Sequence, residues 1–162
     1  SGLAVGKIFG AIGTLAMILG GVLGGIWTAN AGLHRTLLPI LIFSALAGLL
    51  YIPFVWNGLL SQWDLSIVVL IDQFSFGLVV AAQMTYMLRW ANRSPYVATG
   101  YALAAAVMVA GFIVPGMMAG YLQEQLGYAH FFIWCAITAV PAILLAPTAM
   151  RRLVAQSVTE VE

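Results

Sequence analysis

Four stretches of this sequence carry no Asp, Glu, Lys or Arg: residues 8–33, 36–63, 94–123 and 125–150. A fifth, 65–88, carries only Asp72. A helix needs about 20 apolar residues to cross a hydrocarbon core of about 30 Å, and each run suffices. A helix also satisfies its own backbone polar groups, which lipid does not do. The runs are apolar throughout, without the alternation of barrel strands. The expected fold class is therefore all-α, a polytopic membrane protein of five transmembrane helices. We place them near 5–27, 36–54, 65–88, 98–122 and 131–147, in a region 1–150 followed by a polar tail, 151–162, that frays. The composition agrees. Hydrophobic residues make up 63 % and charged residues 7 %, where a soluble domain carries roughly 25 % charged residues. That excludes a solvated monomer and excludes disorder. A net charge of +1 gives no electrostatic reason to bind nucleic acid.

The connections read as short polar loops. Thr28–Arg35 holds Asn30 and Gly32. Trp56–Asp64 holds the turn pair Asn57-Gly58 and two interfacial tryptophans, Trp56 and Trp63. Arg89–Tyr96 holds Asn92 and Ser94-Pro95, and Gln123–His130 holds Gly127. The Lys/Arg bias sets orientation. Arg35, Arg89, Arg93, Arg151 and Arg152 fall on one side, taken as cytoplasmic, and Asp64 and Glu124 on the other. The C-terminus is then cytoplasmic and the start of the chain outside. The sequence begins Ser-Gly without a signal peptide, so further helices are expected upstream, the alternative being a complete small protein with an artificial N-terminus.

The first helix is glycine-rich. Gly6/Gly10, Gly20/Gly24 and Gly21/Gly25 have the spacing that lets helix backbones approach closely. That spacing serves either fixed packing or a sliding surface. Pro115 and Pro141 fall inside the fourth and fifth helices and are expected to bend them. Asp72 is the most informative residue. A carboxylate in the bilayer costs at least about 2.5–3.5 kcal/mol by insertion scales, so it must face a partner or water. Asp72, Phe76, Val79, Gln83 and Tyr86 recur at helical spacing, giving one face a carboxylate, an amide and a phenol. Gln73 lies beside it. Asp72 is either a buried structural group or a handler of substrate or protons. Lys7 either snorkels to the interface or faces an anionic solute or Asp72. His34 and His130 are expected in solvated loops, and Cys135 in apolar packing. No cluster has metal-ligand spacing, and no Gly-x-Ser-x-Gly, HExxH or phosphate-binding loop occurs. No metal, cofactor or enzyme activity is expected.

Several segments then resemble a known family. Val5-Gly6-Lys7 through Gly24-Gly25, with Gly32-Leu33-His34-Arg35-Thr36-Leu37-Leu38, looks like helix eight and the following loop of a major facilitator superfamily transporter. Asp72-Gln73-Phe74-Ser75-Phe76-Gly77 resembles an acidic-Asn-Phe-x-x-Gly segment in helix ten. Asn92-Arg93-Ser94 to Thr99-Gly100-Tyr101-Ala102-Leu103 resembles the helix 10–11 junction. Gly120-Tyr121-Leu122, Leu126-Gly127-Tyr128 and Phe131-Phe132 resemble the 11–12 region. Together they are similar to the AmpG-like muropeptide permeases over nearly the whole chain. Ala29 and Asn30 replace the acid and base of the superfamily loop motif. Gly100 stands where such permeases tend to have Gln, and Phe112 where several have Arg.

The resemblance implies the C-terminal part, helices 8–12, of a twelve-helix bundle whose other helices, the lipid bilayer, a small-molecule solute and protons are its partners. It implies proton-coupled uptake of muropeptides across the inner membrane. Lys7 and Asp72 match the family pattern as polar cavity residues. Asp72 would carry the proton or pair with Lys7, and Gln73, Gln83 and Tyr86 would hydrogen-bond the solute. Arg35, Arg89 and Arg93 would anchor the cytoplasmic loops. A transporter of another solute (a sugar, an acyl-CoA or a drug) and a non-transporting scaffold subunit are the alternatives.

Overall fold

The computed structural model describes residues 8–53 and 62–159. Lys7, Gly6, Trp56 and the Asn57-Gly58 pair lie outside the described residues. A π-helical turn, Ile8–Gly13, leads directly into α1, Thr14–Ala31. Next come α2, Leu33–Leu49, and α3, Gln62–Ala91. A final helical stretch, Val97–Thr159, leaves helical geometry at Gly127. It is therefore two helices, α4 (97–126) and α5 (128–159). Among the described residues, five segments are long and apolar enough to cross a membrane: Gly10–Ala31, Leu33–Pro53, Trp63–Ala91, Val97–Gly127 and His130–Thr148. No strand occurs among the described residues. The chain is an all-α, multi-pass membrane protein, as the uncharged runs require.

Two expected loops shrink to single residues. Thr28–Arg35 is helical on both sides of Gly32 (φ 82°, ψ 143°), and Gln123–His130 on both sides of Gly127 (φ 71°, ψ 162°). Both conformations belong to a backbone region essentially reserved for glycine. The Gly32 N–H donates to the Thr28 carbonyl at 3.1 Å, closing α1. The Gly32 carbonyl accepts the Arg35 N–H at 3.1 Å, opening α2. Polar composition at these positions therefore marks helix ends at the interface, not slack chain. His34 and His130 are exposed, as expected, but sit in helices. Pro115 and Pro141 lie within α4 and α5, with no departure from helical dihedrals there. Helical geometry continues into the tail as far as Thr159.

The bundle centres on α3. Contacts between α1 and α3 ascend in step: Gly13 meets Val69 and Gln73, Gly20 meets Phe74, and Gly24 meets Leu78 and Ala81. The two helices are therefore parallel. A Cβ on Gly20 would run into the Phe74 carbonyl, and one on Gly77 into the Met17 carbonyl. Of the predicted small-residue pairs, Gly20/Gly24 thus forms the crossing, while Gly25 faces open space. On another side, α2 runs antiparallel to α3. Leu33 and Ile40 pack with Leu78 and Ala82 in the buried core, with Leu37, Phe74, Val79 and Tyr86 around them. At the α1–α2 corner the buried Thr36 hydroxyl bonds the Thr28 hydroxyl (3.5 Å) and donates to the Gly32 carbonyl (3.1 Å).

Candidate functional site

Asp72 lies nine residues into the third span, counted from Trp63. At about 1.5 Å per residue that is roughly 14 Å along the helix. Its side chain is half-buried and opens on a cavity of about 500 Å³ between α2, α3 and α5. From α2 come Leu41 and Ser44, and from the helical residues 51–53 that follow Leu50 comes Tyr51. Asp72 and Val79 come from α3, and Phe132 and Cys135 from α5. Much of the remaining wall is small: Ala45, Gly48, Ala136 and Ala139. Small side chains keep the helices close yet leave the space between them unfilled.

One side chain ties this cavity together. The Tyr51 hydroxyl donates to Oδ2 of Asp72 at 3.4 Å. The Tyr51 ring stacks on Phe132, with centroids 4.9 Å apart and planes within 3°. The Ser75 hydroxyl donates to the Asp72 backbone carbonyl at 2.7 Å, so it steadies the backbone and leaves the carboxylate to Tyr51. Neither Tyr51 nor Phe132 stands out in the sequence. Each is an aromatic residue near the end of an apolar run, the usual place for an interfacial anchor.

The rest of the predicted stripe divides. Gln83 and Tyr86 line a second groove, of about 730 Å³, between α3 and α4. Its other walls include Phe76, Met87, Trp90, Met108 and Phe112, with Phe76 and Phe112 edge to face at 5.9 Å. Val79 borders both spaces. Asp72 therefore faces one chamber while Gln83 and Tyr86 face the other. Gln73 joins neither lining; its side chain lies against Gly13 of α1.

The contacts also sort the cations. Tyr51, near the end of the second span, meets both Asp72 and Phe132 near the start of α5, so α2 runs antiparallel to α3 and α5. The α1–α2 corner, the end of α3 and the end of α5 then share one end of the bundle. Arg35, Arg89 and Arg151 are exposed at that end, and Arg93 is half-buried in the turn before α4. No group of three or more His, Cys, Asp or Glu able to hold a metal occurs among the described residues.

Similarity to known proteins decides the family. The chain is 32 % identical over 145 residues, 88 % of its length, to the "putative transporter AmpG 2" of Rickettsia typhi. It is 33 % identical over 145 residues to the protein of that name from Rickettsia prowazekii. It is also 30 % identical over 143 residues to the anhydromuropeptide permease of Escherichia coli K12, which covers 87 % of the chain. The chain is AmpG-like. The matches cover 34 % of the Rickettsia proteins and 28 % of the E. coli permease, so the chain spans about a third of the length of the curated relatives it matches. No family model matches it, and no solved structure does. In this AmpG-like chain, Gly100 packs beside Ala91 and Trp90 at the α3–α4 corner. Phe112 presents an aromatic wall to the Gln83 groove.

Proposed function

We propose that this AmpG-like chain supplies five helices of a major-facilitator-type secondary transporter. In this reading the protein takes up muropeptides, peptidoglycan fragments built of amino sugars and peptide, across the cytoplasmic membrane by alternating access. The Arg35–Arg89–Arg151 end faces the cytoplasm, following the distribution of basic residues. Solute sites in such transporters lie near the bilayer midplane between helices. The observation that carries the reading is Asp72, half-buried within the third apolar span on an α2–α3–α5 cavity. An intramembrane carboxylate is kept where it handles ions, protons or solute. Asp72 carries the coupling proton, with Lys7 as the candidate counter-charge. Gln83 and Tyr86 offer an amide and a phenol to neutral solute groups in the adjoining groove, where Trp90 adds an apolar ring face.

The test is uptake of a radiolabelled disaccharide-peptide muropeptide by cells lacking their own permease and expressing the full-length protein. We expect uptake driven by an inward proton gradient and reduced at least about tenfold in Asp72→Asn, a loss of about 1.4 kcal/mol or more. Wild-type uptake by the Asp72→Asn variant would remove Asp72 from the mechanism. Phe112 favours a second reading. An aromatic residue where several AmpG-like proteins have Arg suits a solute with fewer negative charges. Competition of uptake by neutral against acidic sugar-peptides separates the two.

A further inference from the structure

We infer that Tyr51 is the positioning residue of the Asp72 chamber, holding the second span (Leu33–Pro53), α3 and α5 together at the cavity. Two observations converge on it. Its hydroxyl donates to Asp72 on α3. Its ring stacks flat on Phe132 of α5.

The geometry suits a contact that is made and broken. Hydroxyl–carboxylate bonds close at about 2.5–2.7 Å when charge-assisted, and this one stands at 3.4 Å. A sub-ångström shift of α2 tightens it, and an equal shift the other way abolishes it. The bond is also conditional on what Asp72 carries. An ionised carboxylate is a strong acceptor. A carboxyl group that has taken up a proton is a weaker one, with a hydroxyl of its own to donate. Among the described residues that line this cavity from α2, α3 and α5, Asp72 is the only carboxylate; Tyr51 and Cys135 are the other titratable groups. Loading the carboxylate therefore loosens the tie to α2, and unloading it restores the tie. Phe132 keeps the phenol in place between the two conditions, since stacking is indifferent to the proton.

This inference rests on the reading of Asp72 as a group that changes its load, but its test needs no solute. Cys135 lines the same cavity and is a natural reporter. Membranes containing the full-length protein are treated with a charged, membrane-impermeant methanethiosulfonate, and the modification rate of the Cys135 peptide is read by mass spectrometry. We expect Tyr51→Phe, which keeps the ring, to raise that rate roughly fivefold, the population change when a two-state element loses one ordinary hydrogen bond. Asp72→Leu, which removes the acceptor, should raise it as much, and the double variant no further. Gly25→Ala, on a face of α1 that meets nothing within contact distance, should leave the rate unchanged. A Tyr51→Phe rate equal to wild type, including no modification in either, overturns the inference. So do effects of the two substitutions that multiply in the double variant. Faster labelling in a protein that takes up no muropeptide would keep Tyr51 in this role and sink the solute instead.

Discussion

The two flanks of α3 are built on opposite principles. Toward α1, glycines let backbone meet backbone: Gly20 against Phe74, and Gly77 against Met17 and Gly21. Toward α4 and α5, side chains hold the helices apart and leave two spaces, one with Asp72 and one with Gln83 and Tyr86. In lipid, helices gain little from hiding apolar surface, so close van der Waals contact does the binding. Where contact is backbone to backbone, nothing can shift without a clash. Where it is made by alanines, a tyrosine and a phenylalanine, small displacements cost little. The glycine seam gives α3 a fixed back, and the opposite flank is where solute and helix movement fit.

That contrast can be broken most severely at the seam. Gly20→Leu places a side chain where the Phe74 carbonyl stands. We expect about 3 kcal/mol of destabilisation, the upper part of the usual overpacking range, seen as a large fall in the unfolding midpoint in detergent. Gly127→Ala, at φ 71°, imposes a backbone penalty of about 1–3 kcal/mol without touching either flank, by the same measurement. Thr36→Val removes the hydroxyl that bonds Thr28 and the Gly32 carbonyl; the expected loss is about 1 kcal/mol. Gln83→Ala, on the open flank, should leave the midpoint unchanged yet raise the solute concentration for half-maximal uptake about fivefold. Gly25→Ala sharpens the comparison from the other direction. Gly25 has the same spacing pattern as Gly20 but faces open space, so its midpoint should move by less than the equivalent of about 0.5 kcal/mol.

The five spans were legible because lipid leaves few choices: uncharged runs of sufficient length must be helices. The Asp72 stripe was legible in part. Helical period put Asp72, Phe76, Val79, Gln83 and Tyr86 on one side of α3, and their neighbours do lie on its open flank. Period says nothing of what stands opposite. With α2 and α5 against one edge and α4 against the other, the stripe splits at Val79. Gln73, one residue from Asp72, turns by about 100° onto α1. Tyr51 escaped because its role depends on Phe132, eighty-one residues later, and no local pattern carries that distance. The one-residue corners escaped because polarity normally signals loops, while here it accompanies helix ends in the interfacial zone.

One of those corners has a mechanical consequence. Between α1 and α2 there is only Gly32, with the two helices bonded across it through Thr28 and Thr36. Such a joint has no slack, so α1 and α2 behave as a bent rod. From Leu33 to Tyr51 the arm is roughly 27 Å long at about 1.5 Å per residue. Bending the arm beyond that joint by about 2° carries Tyr51 through about 1 Å, enough to bring its hydroxyl onto Asp72 or take it out of reach. The glycine seam anchors one arm of that rod, and the other ends at the carboxylate.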